Sequence, residues 1–101
     1  MPTVQQLHAL LQKEPDDLFL NFGLAMELAR IGQTDESIAQ FDRVIAMSPQ
    51  YIPAFFQKGR ALMNAGRIDE AKSALIAGIE TAKSTGELHA AEEMTALLET
   101  M

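Results

Sequence analysis

Residues 15–49 read PDDLFLNFGLAMELARIGQTDESIAQFDRVIAMSP, and residues 49–83 read PQYIPAFFQKGRALMNAGRIDEAKSALIAGIETAK. The second stretch repeats the first with a spacing of 34 residues: Pro15 returns as Pro49, Phe22 as Phe56, Leu28 as Leu62, Gly32 as Gly66, and Asp35-Glu36 as Asp69-Glu70. A unit of that length holds two antiparallel helices and their turns. It cannot bury its own apolar face, so it needs a stacked neighbour on each side. A stack of such units offers a surface for binding rather than a pocket for chemistry.

Within the first unit, Asp16-Asp17 place acidic residues where a helix dipole favours them, and a helix is predicted over 18–31, stopping at Gly32. Thr34 is expected to cap the next helix, with Asp35 and Glu36 in its first turn. Ile38, Phe41, Val44 and Ile45 form its buried stripe, and it ends at Met47 before Pro49. The second unit repeats this with Pro53 near a helix start, a helix over 55–65, a turn at Gly66 and a helix over 69–83, with Ala71, Leu75 and Ile79 inward. Upstream, Val4, Leu7, Leu10 and Leu11 have helical spacing, and the predicted helix stops before Glu14-Pro15. Downstream, Leu88, Ala91, Met94 or Thr95, and Leu98 predict a sixth helix over 87–99.

Composition agrees with an all-α fold. The chain has 101 residues, is 48% hydrophobic, and holds one Tyr and no Trp, so one small helical core is expected. No apolar run reaches the length of a membrane span, and the first residues lack the pattern of a signal peptide, which makes the cytoplasm the expected location and a membrane an unexpected partner. The absence of cysteine excludes disulfides and thiolate chemistry. Fourteen acidic against eight basic residues give a net charge of −6, which opposes binding to nucleic acid or anionic lipid.

At this point the chain resembles the tetratricopeptide repeat family. Leu24 and Ala25 match the family's large-then-small pair, Leu28 its bulky position, Gly32 its turn, Phe41 its aromatic in the second helix and Pro49 its closing proline. In the second unit Gly59 takes the small position, followed by Leu62, Gly66, Ala71 and Leu75. Departures are Asn21 and Phe55 at the early Trp position, Ser37 at the small position of the second helix, and Lys83 where a proline would close the unit. The resemblance implies a right-handed superhelical solenoid of about six helices forming a single domain. Its parts are an N-terminal helix over 3–14, repeats over 16–49 and 50–83, and a capping helix over 86–101.

The resemblance also implies a concave groove lined by the first helix of each unit, where a peptide or a partner helix lies. By register the groove presents Phe19, Phe22, Met26 and Ala29, then Phe56, Arg60, Met63 and Asn64, then Ala90, Met94 and Leu97. The family's carboxylate clamp of Lys and Asn residues is not reproduced, because Phe22, Met26 and Phe56 hold the equivalent positions and Arg60 is the sole cation. Two readings of these apolar residues stay open. They fill the interior, or Phe19, Phe22, Met26, Phe56, Met63 and Met94 form one exposed patch that binds a protein partner, closes a homodimer or serves a structural adaptor.

Catalysis is not expected. The paired carboxylates are sequence neighbours, which diverge by about 100° around a helix and do not face each other. His8 and His89 lie in opposite end helices with no metal-ligand spacing, and no serine has the context of an exposed nucleophile. No cofactor or metal site is expected.

Overall fold

Local signals set where each helix starts and stops. In the computed structural model, which describes residues 2–101, the helices are α1 (Val4–Lys13), α2 (Leu18–Arg30), α3 (Thr34–Met47), α4 (Ile52–Asn64), α5 (Ile68–Ser84) and α6 (Leu88–Glu99). Thr3 caps α1 through a capping box: its hydroxyl accepts from Gln6 N at 3.1 Å, and Gln6 Oε1 accepts from Thr3 N at 2.9 Å. Asp17 Oδ1 caps α2 by accepting from Leu20 N at 2.9 Å. Pro53 lies in the first turn of α4, where a missing N–H costs nothing.

Three turns share one device. Gly32 and Gly66 adopt φ of 83° and 78°, and Gly86 adopts 79°. In each turn the next residue's N–H reaches back to close the helix: Gln33 donates to Leu28 O, Arg67 to Leu62 O and Glu87 to Ala82 O. Because this turn leads straight into the following helix, Thr34 does not cap α3. It is the first helical residue, and Gln33 before it makes no side-chain cap bond.

Short turns fold α2 onto α3 and α4 onto α5, while α3 packs on α4 and the end helices α1 and α6 pack on α2 and α5. Leu7 of α1 meets Leu24 and Leu28 of α2. Phe41 and Val44 of α3 pack with Ala25 and Ala54. Farther along, Phe55 of α4, Leu75 and Ala82 of α5, and Ala91 and Met94 of α6 form one cluster. Burying each large apolar side chain contributes about 1.5–3 kcal/mol, so these contacts hold the stack together. No helix among the described residues is long and apolar enough to cross a membrane.

Two departures from the repeat pattern have structural explanations. Asn21 is only 2% exposed, and every polar atom of its amide is used. Nδ2 donates to Pro15 O (3.0 Å) and Asp17 O (2.8 Å), while Oδ1 accepts from Gln40 Nε2 (2.6 Å) and Arg43 Nε (3.2 Å). A buried amide thus ties the loop before α2 to the middle of α3. Ser37 fills the small position in α3, fully buried, and its hydroxyl donates to Ala25 O at 2.8 Å. The helices approach closely there without an orphaned polar group.

Candidate functional site: the face of α2, α4 and α6

The first helices of the two repeats lie side by side with α6 beyond them, which leaves two clefts between neighbours. Met26, Ala29 and Arg30 of α2 face Arg60 and Asn64 of α4 across a cleft of about 340 Å³. Ile52, Phe56 and Arg60 of α4 face Glu87, Ala90 and Glu93 at the start of α6 and its preceding turn, across a cleft of about 510 Å³. Gln57 and Arg60 line both. Arg60 is therefore the ridge between the clefts. Its guanidinium sits 5.9 Å from the centre of the Phe56 ring, within range of a cation–π contact, and it makes no ion pair among the described residues.

Aromatic side chains gather at the end of this face near the loop between α3 and α4. Phe22 meets Phe41 and Tyr51 edge-on, with ring centres 6.0 and 5.3 Å apart, and Phe19 meets Tyr51 at 6.3 Å. Phe22 is half-buried, whereas Phe19 is 71% exposed.

The structure divides the residues that register places on one patch. Met26, Arg60 and Asn64 share the first cleft, Phe56 and Arg60 share the second, and Phe19 with Phe22 belongs to the aromatic corner. Met94 is not on the face. It is fully buried, because Gly78 of α5 leaves a space that the Met94 sulfur occupies beside Phe55. Met63 turns toward Leu62, Ala71 and Ala74 and lines neither cleft. Leu88, expected inside, is 60% exposed, since it lies on the outer side of the last helix.

Several residues of the face escaped the sequence reading. Tyr51 sits in a loop, where no periodicity marks it, and Gln57, Arg30, Glu87 and Glu93 are polar residues on helices read for their apolar stripe. One signal for Gln57 was available, namely its place three residues before Arg60 on the same helical side.

Ion pairs brace this arrangement, one of them at the edge of the first cleft through Arg30 and the others outside both clefts. Arg30 donates to both carboxylate oxygens of Glu27, which is itself nearly buried. Those hydrogen bonds hold the Glu27 carboxyl below its ordinary value, against the opposing effect of burial, and hold the Arg30 guanidinium above its own. Arg67, just before α5, joins the two tight turns, reaching Glu70 in the first turn of α5 and Asp35 of the preceding repeat, each at 2.6 Å, and both contacts raise its basicity. Lys58 bridges α4 to Asp42 of α3 at 2.7 Å.

Paired helices joined by glycine turns, with a small residue at each close contact, define a helical-repeat protein. The tetratricopeptide repeat family model matches residues 28–94, and the chain belongs to that family. A TPR repeat-containing protein of Pseudomonas aeruginosa is 28% identical over 95 residues, covering 94% of this chain and 90% of that protein. A solution structure from Bordetella parapertussis matches with a TM-score of 0.85 at 24% identity, covering 99% of this chain and 87% of that one. The type III secretion translocator chaperone SycD of Yersinia enterocolitica matches at 0.84 and 21% identity, covering 97% and 74%. The TPR2B domain of yeast Sti1, in complex with pHsp70, matches at 0.83 and 21% identity, covering 95% and 77%. These likenesses establish the all-α superhelical repeat fold.

Proposed function

We propose that this chain is a non-catalytic protein-interaction module that holds a peptide or helix of a partner protein across α2, α4 and α6. The single observation that carries this reading is Arg60: exposed, stacked over Phe56, unpaired among the described residues, and shared by both clefts. A cation fixed against an apolar ring between two clefts can anchor a polar group while its neighbours take apolar side chains. Support from the fold comes from the yeast Sti1 domain in complex with pHsp70 and from the Yersinia translocator chaperone. The test is a selection of binding peptides from a randomised display library, followed by mapping of amide chemical shifts on the labelled protein. Shifts centred on Gln57, Arg60 and Asn64 support the reading. Shifts confined to α3 and α5 refute it.

Phe19 favours a second reading. An aromatic ring 71% exposed beside Tyr51 is a surface that a second copy would cover, giving a homodimer through the end of the same face. Light scattering across a wide concentration range tests it. A dimer that Phe19→Asp dissociates supports this reading, and a monomer at all concentrations removes it.

A further inference from the structure

Charges on the face of α2, α4 and α6 are segregated. In a chain of net charge −6, the cleft between α2 and α4 carries Arg30 and Arg60 and no carboxylate, with the amides of Gln57 and Asn64 beside them. Glu27, which binds Arg30, does not line the cleft and is nearly buried. The nearest carboxylates of α3, Asp35 and Glu36, line a separate notch between the tight turns, where Arg67 already holds Asp35. The cleft between α4 and α6 is the reverse. Beyond the shared Arg60 it carries Glu87 and Glu93, over an apolar wall made by Ile52, Phe56 and Ala90. Glu93 Oε1 lies 2.6 Å from His89 Nε2, and Glu87 accepts from the Thr85 hydroxyl at 3.1 Å, so both carboxylates have a weak local partner and no Lys or Arg.

Resting on the interaction-module reading, we propose that the partner is a charge-segregated peptide segment. It places an acidic side chain in the cleft of Arg60 and Asn64, an apolar side chain on Phe56, and a basic side chain between Glu87 and Glu93. Like charges opposite each other cost affinity and opposite charges gain it, so this face excludes uniformly acidic and uniformly basic segments alike. The acidic group is an internal side chain as readily as a chain terminus, because a guanidinium flanked by two amides recognises any carboxylate.

Peptides selected from a randomised display library on the intact chain, then synthesised and titrated, test the proposal. The expected peptides carry acidic and basic residues on opposite sides of an apolar residue, and they shift the amides of Arg60, Asn64, Glu87 and Ala90. Arg60→Glu is expected to weaken such a peptide by about tenfold or more, and replacing the peptide's acidic residue with lysine is expected to restore binding to that variant. Glu87→Lys should behave in the same way toward the basic end. Rescue by charge exchange cannot come from misfolding, and circular dichroism checks that each variant keeps its helix content. Peptides that map to this face without charge segregation, or variants that no exchange rescues, overturn the inference and leave the interaction module standing. Failure to select any peptide on this face overturns both.

Discussion

A β-carbon placed on Gly59 would lie 2.6 Å from Cδ2 of Leu75. The backbone of α4 thus rests directly on a fully buried leucine of α5, and the same register in the first repeat brings Ala25 against Phe41. Gly59→Ala gains roughly 1 kcal/mol of helix propensity, but overpacking a filled core costs about 1–3 kcal/mol. Overpacking wins, because Leu75 is fully buried and its Cγ, 2.7 Å from that β-carbon, cannot swing aside as the tip of a flexible side chain would. A net loss of about 1 kcal/mol is expected for Gly59→Ala and more than about 3 kcal/mol for Gly59→Leu, read from urea unfolding followed by circular dichroism. A Gly59→Ala variant more stable than the parent would show that the two helices do not touch here.

Gly23 provides the opposite case on the neighbouring helix. Its added β-carbon would meet only Leu7 Cδ2 at 3.8 Å, an ordinary contact, and its backbone is helical within α2. Gly23→Ala is therefore expected to stabilise the protein by about 0.5–1 kcal/mol. The same urea series measures it, and the two glycine variants serve as controls for each other.

Most of the fold was legible because its punctuation is chemical. Pro15 and Pro49, and the positive-φ Gly32 and Gly66, recur at the period and mark helix boundaries, Gly86 marks the end of α5 outside that register, and Gly59 marks a close contact that only a small residue permits. The candidate face was legible only in part. Helical spacing puts Met94 on the apolar side of α6, yet it cannot say which neighbour covers that side. The answer lies in Gly78, which stands where the first repeat has Val44 and so opens the space that Met94 fills. Phe56 is similarly divided. It is half-buried against the cluster of α5 and α6, so Phe56→Asp damages packing as well as binding, and Arg60 is the better position at which to separate the two.

Asn21 looks like a defect in the repeat pattern and behaves as a structural hub. Truncation to Ala removes four hydrogen bonds at once, although Gln40 and Arg43 can turn to water, so a loss of about 2 kcal/mol is expected. Asn21→Asp should cost more. It replaces an amide donor with a carboxylate oxygen facing the carbonyls of Pro15 and Asp17, and the attraction of Arg43 does not offset two opposed acceptors. Equal stability of the Asp and Ala variants would show that the Arg43 contact compensates.

Glu27 sets part of the acid sensitivity of the fold. Hydrogen bonds from Arg30 stabilise its carboxylate in the folded protein, so burial is outweighed and the group titrates below its ordinary value of 4.5. The unfolded chain takes up this proton more readily than the folded one. The contribution is then complete above the ordinary value and drains away as pH falls from there through the lower folded value. Glu27→Gln cannot titrate, so the difference in urea midpoint between parent and variant should be constant near neutral pH and shrink across that acid window. Arg30→Gln should shrink the same difference by removing the donor instead of the carboxylate. A difference that grows as pH falls would mean that burial, which disfavours the charged form, outweighs Arg30, and the carboxyl of Glu27 would then titrate above its ordinary value.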